Sequence, residues 1–261
     1  MSVNSHLVNL ASDLVLSEVE KSSISTSITT LSSRLSVYFG SGVTNHFQFG
    51  SSTRGTILPR KADKNSDIDY MVVFDTSDGQ KKPQTYLDRL KRFAESKYST
   101  SEISQSSPTI VLSLNHIKFE LVPAIYNYGY QIPSPASSWS DWTSTDPAGT
   151  NDALQSKNKS ENYQVKPLVR LLKYWNARKG HPFRSFELEQ YVVGKFFWSC
   201  SALKDYFYDL WSGFSCTYDT AQYIKDMVAS AKEHARKAKE YEDANMPVNA
   251  EFEIKKIVPA L

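Results

Sequence analysis

The sequence predicts an α/β chain in which a lobe built on a mixed sheet precedes a helical lobe, with one long helix in front of both. Three observations carry this. Asp67-Ile68-Asp69-Tyr70-Met71-Val72-Val73-Phe74 is a short run, dense in β-branched and aromatic residues, that reads as a buried strand. Thr109 to Leu114 and Ile117 to Val122 are two more such runs, separated by Asn115-His116 as a two-residue hairpin turn. From about residue 160 onward the apolar residues recur at helical spacing.

Taken in order, residues 5 to 39 read as a single helix. Ile24, Ile28, Leu31, Leu35 and Tyr38 or Phe39 fall on one face, and Ser and Thr on the other. Those hydroxyl residues are weak helix formers, so packing must hold the helix. Phe47 to Phe49 is a short strand leading into a small-residue loop, and Asp63-Lys64-Asn65-Ser66 is a turn. Pro83 opens a helix to about Tyr98 with Leu87, Leu90 and Phe93 inward. The Pro, Ser, Trp and Tyr of 126–152 lack periodicity and read as an irregular crossover. Helices follow at about 160–179, 185–201, 203–211, 218–244 and 250–257. The expected division is a sheet lobe over 1–155 and a helical lobe over 156–261.

The chemistry concentrates early. Gly50-Ser51-Ser52 offers backbone N–H groups and hydroxyls that can approach a phosphate closely. Asp67 and Asp69 are two apart on a strand, so they point to one face and repel unless a cation lies between them. Oxygen-only donors suit a hard ion such as Mg, which prefers carboxylates plus substrate phosphates. Together these read as a site for a metal-bound nucleoside triphosphate; the plainer reading is a turn followed by solvated acids. Glu120 brings a third carboxylate through the hairpin, as a metal ligand or as a salt-bridge partner.

Gly50-Ser51 followed by Asp67-x-Asp69 resembles the signature of the polymerase-β-type nucleotidyltransferases. That family places a third carboxylate on a later strand, usually Asp before a Val-Pro-Ala-like segment. Here Glu120 stands before Leu121-Val122-Pro123-Ala124, a departure of one methylene. Leu168-Val169-Arg170-Leu171-Leu172-Lys173-Tyr174-Trp175-Asn176 and Arg184-Ser185-Phe186-Glu187-Leu188-Glu189 resemble the helical lobe of the oligoadenylate synthase and bacterial CD-NTase (SMODS, cyclic oligonucleotide synthase) branch. The likeness runs over roughly residues 10 to 255.

The resemblance implies catalytic and metal-binding roles for Asp67, Asp69 and Glu120, with Mg or Mn as the cofactor. It implies nucleotide binding by Gly50, Ser51, Ser52, Lys173 and Ser185. Ser185 also reads as a helix N-cap, at a terminus that favours phosphate. Trp175, Tyr174 and Tyr70 read as core. The implied reaction joins NTPs into a small cyclic or linear oligonucleotide, a second messenger of bacterial antiphage signalling, with a product-gated effector as the downstream partner. Transfer onto an RNA 3′ end or a protein hydroxyl stays open, as does a weakly active nucleotide-binding regulator.

Composition bounds the rest. The chain has 261 residues, 40% apolar and 13% aromatic, enough for a sizeable core. A formal charge of +2 argues against strong nucleic-acid binding. The basic run Lys232, His234, Arg236, Lys237, Lys239 alternates with acids and reads as a solvated helix face. Cys200 and Cys216 fit a reducing cytoplasm, leaving a disulfide between them as the lesser alternative. The histidines lack metal-ligand spacing, and no run approaches the roughly 18 apolar residues of a membrane span.

Overall fold

A computed structural model describes residues 2–134 and 140–261. It is an α/β fold with a mixed sheet. The chain divides into two compact units, one of 17–57 and 65–152, the other of 1–16, 58–64 and 153–261. Three chain segments therefore build the helical unit.

The predicted helix 5–39 is two helices, α1 (Val3–Asp13) and α2 (Glu18–Phe39). The break has a local cause. Ser17 caps α2 by accepting from the Glu20 N–H while the Glu20 carboxylate accepts from the Ser17 N–H. This capping box satisfies two helix-end donors and starts a new helix where the apolar periodicity alone suggested continuity.

In the sheet unit, β1 (Val43–Phe49) leads to a single helical turn, α3 (Ser51–Arg54), and then to β2 (Asp67–Phe74). The helix α4 (Pro83–Lys97) follows, and then β3 (Glu102–Ser106), β4 (Thr109–Ser113) and β5 (Lys118–Tyr126). The hairpin forms where predicted, with Leu114 N–H donating to Ile117 O at 2.9 Å. The strand order is β1-β2-β5-β4-β3, and β2 and β5 are parallel within an otherwise antiparallel sheet. β3 carries the sequence Glu-Ile-Ser-Gln-Ser and is mostly exposed, so it has no apolar signature to read.

The stretch read as an irregular crossover contains β6 (Tyr130–Pro133) and β7 (Trp142–Thr145), which extend the sheet from β5, and the start of α5 (Pro147–Ser160). Residues 135–139 of that reading lie outside the described residues. α5 has no periodic apolar face: it buries Pro147 at its start and then only Leu154 and Asn158, one turn apart.

Alternation along β2 separates two faces. Ile68, Tyr70, Val72 and Phe74 point to the side packed by α2 and α4, where Phe74 meets Phe39 at 5.3 Å and Tyr86 at 4.9 Å. Tyr70 is buried as predicted, and its hydroxyl lies 3.0 Å from His46 Nδ1. The opposite face carries Asp67 and Asp69 and continues into Met71, Val73 and Ala124, packed by Phe47, Phe49, Tyr130 and Ile132.

The helical unit contains α1, α6 (Val165–Arg178), α7 (Ser185–Gly194), α8 (Leu203–Gly213), α9 (Gln222–Asp243) and α10 (Pro247–Ile257). α7 ends at Gly194, seven residues before the predicted 201, and 195–202 is loop. One core joins these helices around Trp175 and Trp211, whose rings meet edge to face at 4.9 Å. Trp175 and Tyr174 are core residues, as read from the sequence. Trp211→Ala is expected to cost about 3–5 kcal/mol by cavity formation; denaturant unfolding measures it. Both cysteines are free. No described helix is long and apolar enough to cross a membrane.

Candidate active site

The sheet register assembles the acids. Asp69 on β2 lies directly beside Glu120 on β5, and Asp67 lies beside Lys118. Cross-strand neighbours project to the same side, so Asp67, Asp69, Glu120 and Lys118 share one face. Lys118 lies outside the carboxylate motif, and its position two residues before Glu120 places it on the same face. Three carboxylates and one ammonium therefore lie on this face.

Glu120 makes no ion pair among the described residues. Its carboxylate accepts a long contact from Thr109 Oγ1, at 3.4 Å. The salt-bridge alternative therefore has no partner here, and the carboxylate faces its strand neighbour Asp69.

Gly50 joins β1 to α3 with φ 76 and ψ −154, a conformation that side-chain-bearing residues rarely adopt. A Cβ there would sit 1.8 Å from Asp69 Oδ2. Only glycine lets the loop backbone lie against this carboxylate. The loop's two serines differ. Ser52 Oγ accepts from Gln48 Nε2 at 2.7 Å and donates to Phe49 O at 3.1 Å, so it braces the turn. Ser51 Oγ makes no hydrogen bond among the described residues, which leaves it the better placed of the two for a phosphate. Arg54 is buried.

The donor set fits a hard divalent ion in its chemistry: oxygen only, negatively charged, and on one face. Among the described residues no group of three or more His, Cys, Asp or Glu is gathered closely enough to hold an ion by itself. The acids share a face without closing a cage, the arrangement suited to an ion completed by substrate phosphates and water.

Lys173 and Ser185 belong to the helical unit, on the packed pair α6 and α7. Lys173 is 7% exposed, which removes the reading of a solvated helix-face lysine. A buried ammonium needs compensating groups. Ser185 is the first residue of α7. The cap position is Arg184, with no side-chain cap bond, so the N-cap reading of Ser185 is corrected by one residue.

In the basic run on α9, His234, Arg236 and Lys237 pair with acids. Arg236 pairs with Glu233 at 2.8 Å and with Glu240, Lys237 pairs with Glu233 at 3.4 Å, and His234 Nδ1 lies 2.6 Å from Glu253.

The α/β fold is shared with solved CD-NTases. A Vibrio cholerae dinucleotide cyclase (DncV) solved with ATP and GTP aligns at a TM-score of 0.74 and 13% identity, covering 98% of this chain and 96% of that one. CdnC of Escherichia coli MS115-1, solved with ATP, aligns at 0.69 and 16% identity, covering 100% and 98%. The chain belongs to the Second Messenger Oligonucleotide or Dinucleotide Synthetase (SMODS) domain family, whose model matches residues 1–158. The matched stretch includes the glycine-serine loop and all three acids, and stops short of Lys173 and Ser185. A probable cyclic nucleotide synthase of Bacillus cereus (strain VD146) is 27% identical over 164 residues, 56% of this chain. The alignment spans about half the length of that relative, 49%.

Glu120 gives a sharp local test. Glu120→Ala is expected to lower nucleotidyl transfer by about 10²–10⁴-fold, the range for a positioned acid or base. Glu120→Asp is expected to retain most of it. A normal rate in Glu120→Ala would remove the residue from the chemistry, whereas a sharp rise in Glu120→Asp would mark the native chain as a slow, regulatory member.

Proposed function

We propose that this chain is a metal-dependent nucleotidyltransferase that joins NTPs into a cyclic or linear oligonucleotide second messenger. The observation that carries the reading is the alignment of Asp69 with Glu120 across parallel strands, with Asp67 on the same face and Gly50 against Asp69, in a chain of the SMODS family. A ribose hydroxyl attacks the α-phosphate of a second nucleotide, and pyrophosphate leaves.

Asp67, Asp69 and Glu120 would hold Mg or Mn. Such ions, when bound, polarise the phosphoryl oxygens and lower the pKa of the attacking hydroxyl. The chain's own groups do the remaining work. The Gly50–Ser51 backbone and the Ser51 hydroxyl receive the β- and γ-phosphates. The Lys173 ammonium offsets triphosphate charge, and the start of α7 at Ser185 favours an anion. Glu120 orients the attacking hydroxyl and accepts its proton. The cellular setting we propose is the cytoplasm of a bacterium under phage attack, with an effector gated by the product.

The test is purified protein with Mg or Mn and four labelled NTPs, with products resolved after phosphatase treatment and Asp67→Ala/Asp69→Ala as control. Phosphatase-resistant products absent from the control are expected. Unreacted NTP, with transfer appearing only when RNA or a protein acceptor is added, would replace this reading by macromolecular transfer.

A further inference from the structure

A cavity within the helical unit is lined by none of the residues assigned above to the active site. Its volume is about 410 Å³, within the range of small-ligand sites. Two helix stripes face each other across it. α8 contributes Asp205, Tyr208, Asp209 and Ser212, and α9 contributes Lys232, Ala235, Arg236 and Lys239. Each set follows the i, i+3, i+4, i+7 spacing of a single helix face. Trp198 forms part of the third wall and is 75% exposed.

The opposed charges do not meet across the gap. Asp205 is held by Ser201 and Ala202, accepting their backbone N–H groups at 3.1 and 2.8 Å and the Ser201 hydroxyl at 3.0 Å. Asp209 pairs with Lys195 at 3.0 Å. Lys232 donates to Phe214 O at 3.1 Å, which leaves its other two N–H groups. Arg236 pairs along its own helix with Glu233 and Glu240. Lys239 has no acidic partner among the described residues. Like charges at these helical spacings oppose one another unless an anion lies between them.

We propose that this cavity binds a nucleotide, with its phosphate on the Lys232–Lys239 stripe, its base face on Trp198 and its base-edge N–H donors toward Asp205 and Asp209. Simple phosphate would meet the α8 carboxylates unfavourably. An acidic peptide would leave the indole uncovered. A nucleotide supplies anion, planar face and hydrogen-bond donors together, and base–aromatic stacking tolerates any base. The Cys200 thiol in the wall is pushed up to about 11, chiefly by burial and then by Asp209 and Asp205, so it stays protonated at neutral pH. The site would bind substrate or product nucleotide on residues other than those of the catalytic reading.

The test is calorimetric titration of the full chain in EDTA with ATP, with the linear dinucleotide pApA and with pyrophosphate. Metal-free binding of ATP or pApA is expected, weakened at least about tenfold in Trp198→Ala and in Lys239→Glu, with pyrophosphate weaker than either. Tighter binding of pApA would identify the product as the source, and tighter binding of ATP the substrate. Both variants are at exposed positions and should fold. Absence of metal-free nucleotide binding, or binding indifferent to both substitutions, overturns the proposal. Neither result depends on whether the Asp67→Ala/Asp69→Ala control loses synthesis.

Discussion

Asp69→Asn is expected to lower nucleotide transfer by about 10³-fold or more, a loss of roughly 4 kcal/mol of transition-state stabilisation. The substitution is nearly isosteric, so the contact with Gly50 and the strand register with Glu120 survive. It removes one charge from a face that holds three carboxylates and one ammonium. Because the amide keeps the shape of the carboxylate, stability without metal should stay within about 1 kcal/mol of the native chain. The distinguishing readout is thermal: Mg or Mn should raise the Tm of the native chain and raise that of Asp69→Asn much less, since a ligand stabilises only the state it binds. Loss of rate with an unchanged metal response would place Asp69 outside the ion site.

Gly50→Ala is expected to lose activity almost as completely, by a different route. The added methyl would stand 1.8 Å from Asp69 Oδ2, and the backbone at φ 76 resists any side chain. Either the loop or the carboxylate must shift, and the backbone conformation alone costs about 1–3 kcal/mol. This variant should thus be less stable as well as inactive, whereas Asp69→Asn should be inactive and stable. Gly55 supplies the comparison. Its φ is 71, and nothing lies within 4 Å of an added Cβ. Gly55→Ala should lose about 1 kcal/mol or somewhat more to backbone strain and keep its activity. Equal activity in the two glycine variants would show that the close approach at Gly50 is incidental.

Elements with a strong apolar signature were legible. β2 spans Asp67–Phe74 as predicted, and α4 spans Pro83–Lys97 with Leu87, Leu90 and Phe93 buried. Elements whose sequences are mostly polar were not. β3 exposes nearly every side chain, and α5 buries mainly Leu154 and Asn158, so neither has a periodic apolar face to detect. The break before α2 was written in Ser17-Glu18-Val19-Glu20, a capping box overshadowed by the longer apolar repeat.

For the site, residue identity and spacing determined which chemistry is available. Two aspartates two apart on a strand must share a face, and a glycine-serine loop ahead of them can take a phosphate. Strand pairing is a long-range choice that no local spacing encodes. Only the tertiary structure decided that β5 lies parallel to β2 with Glu120 beside Asp69, that Lys118 joins the same face, and that Gly50 touches Asp69. The same holds for the serines, since Ser52 is committed by Gln48, four residues away on β1, while Ser51 is not. A side chain's type is local information, but its partner, its exposure and its freedom to meet a ligand are set by whichever distant segments the fold packs against it.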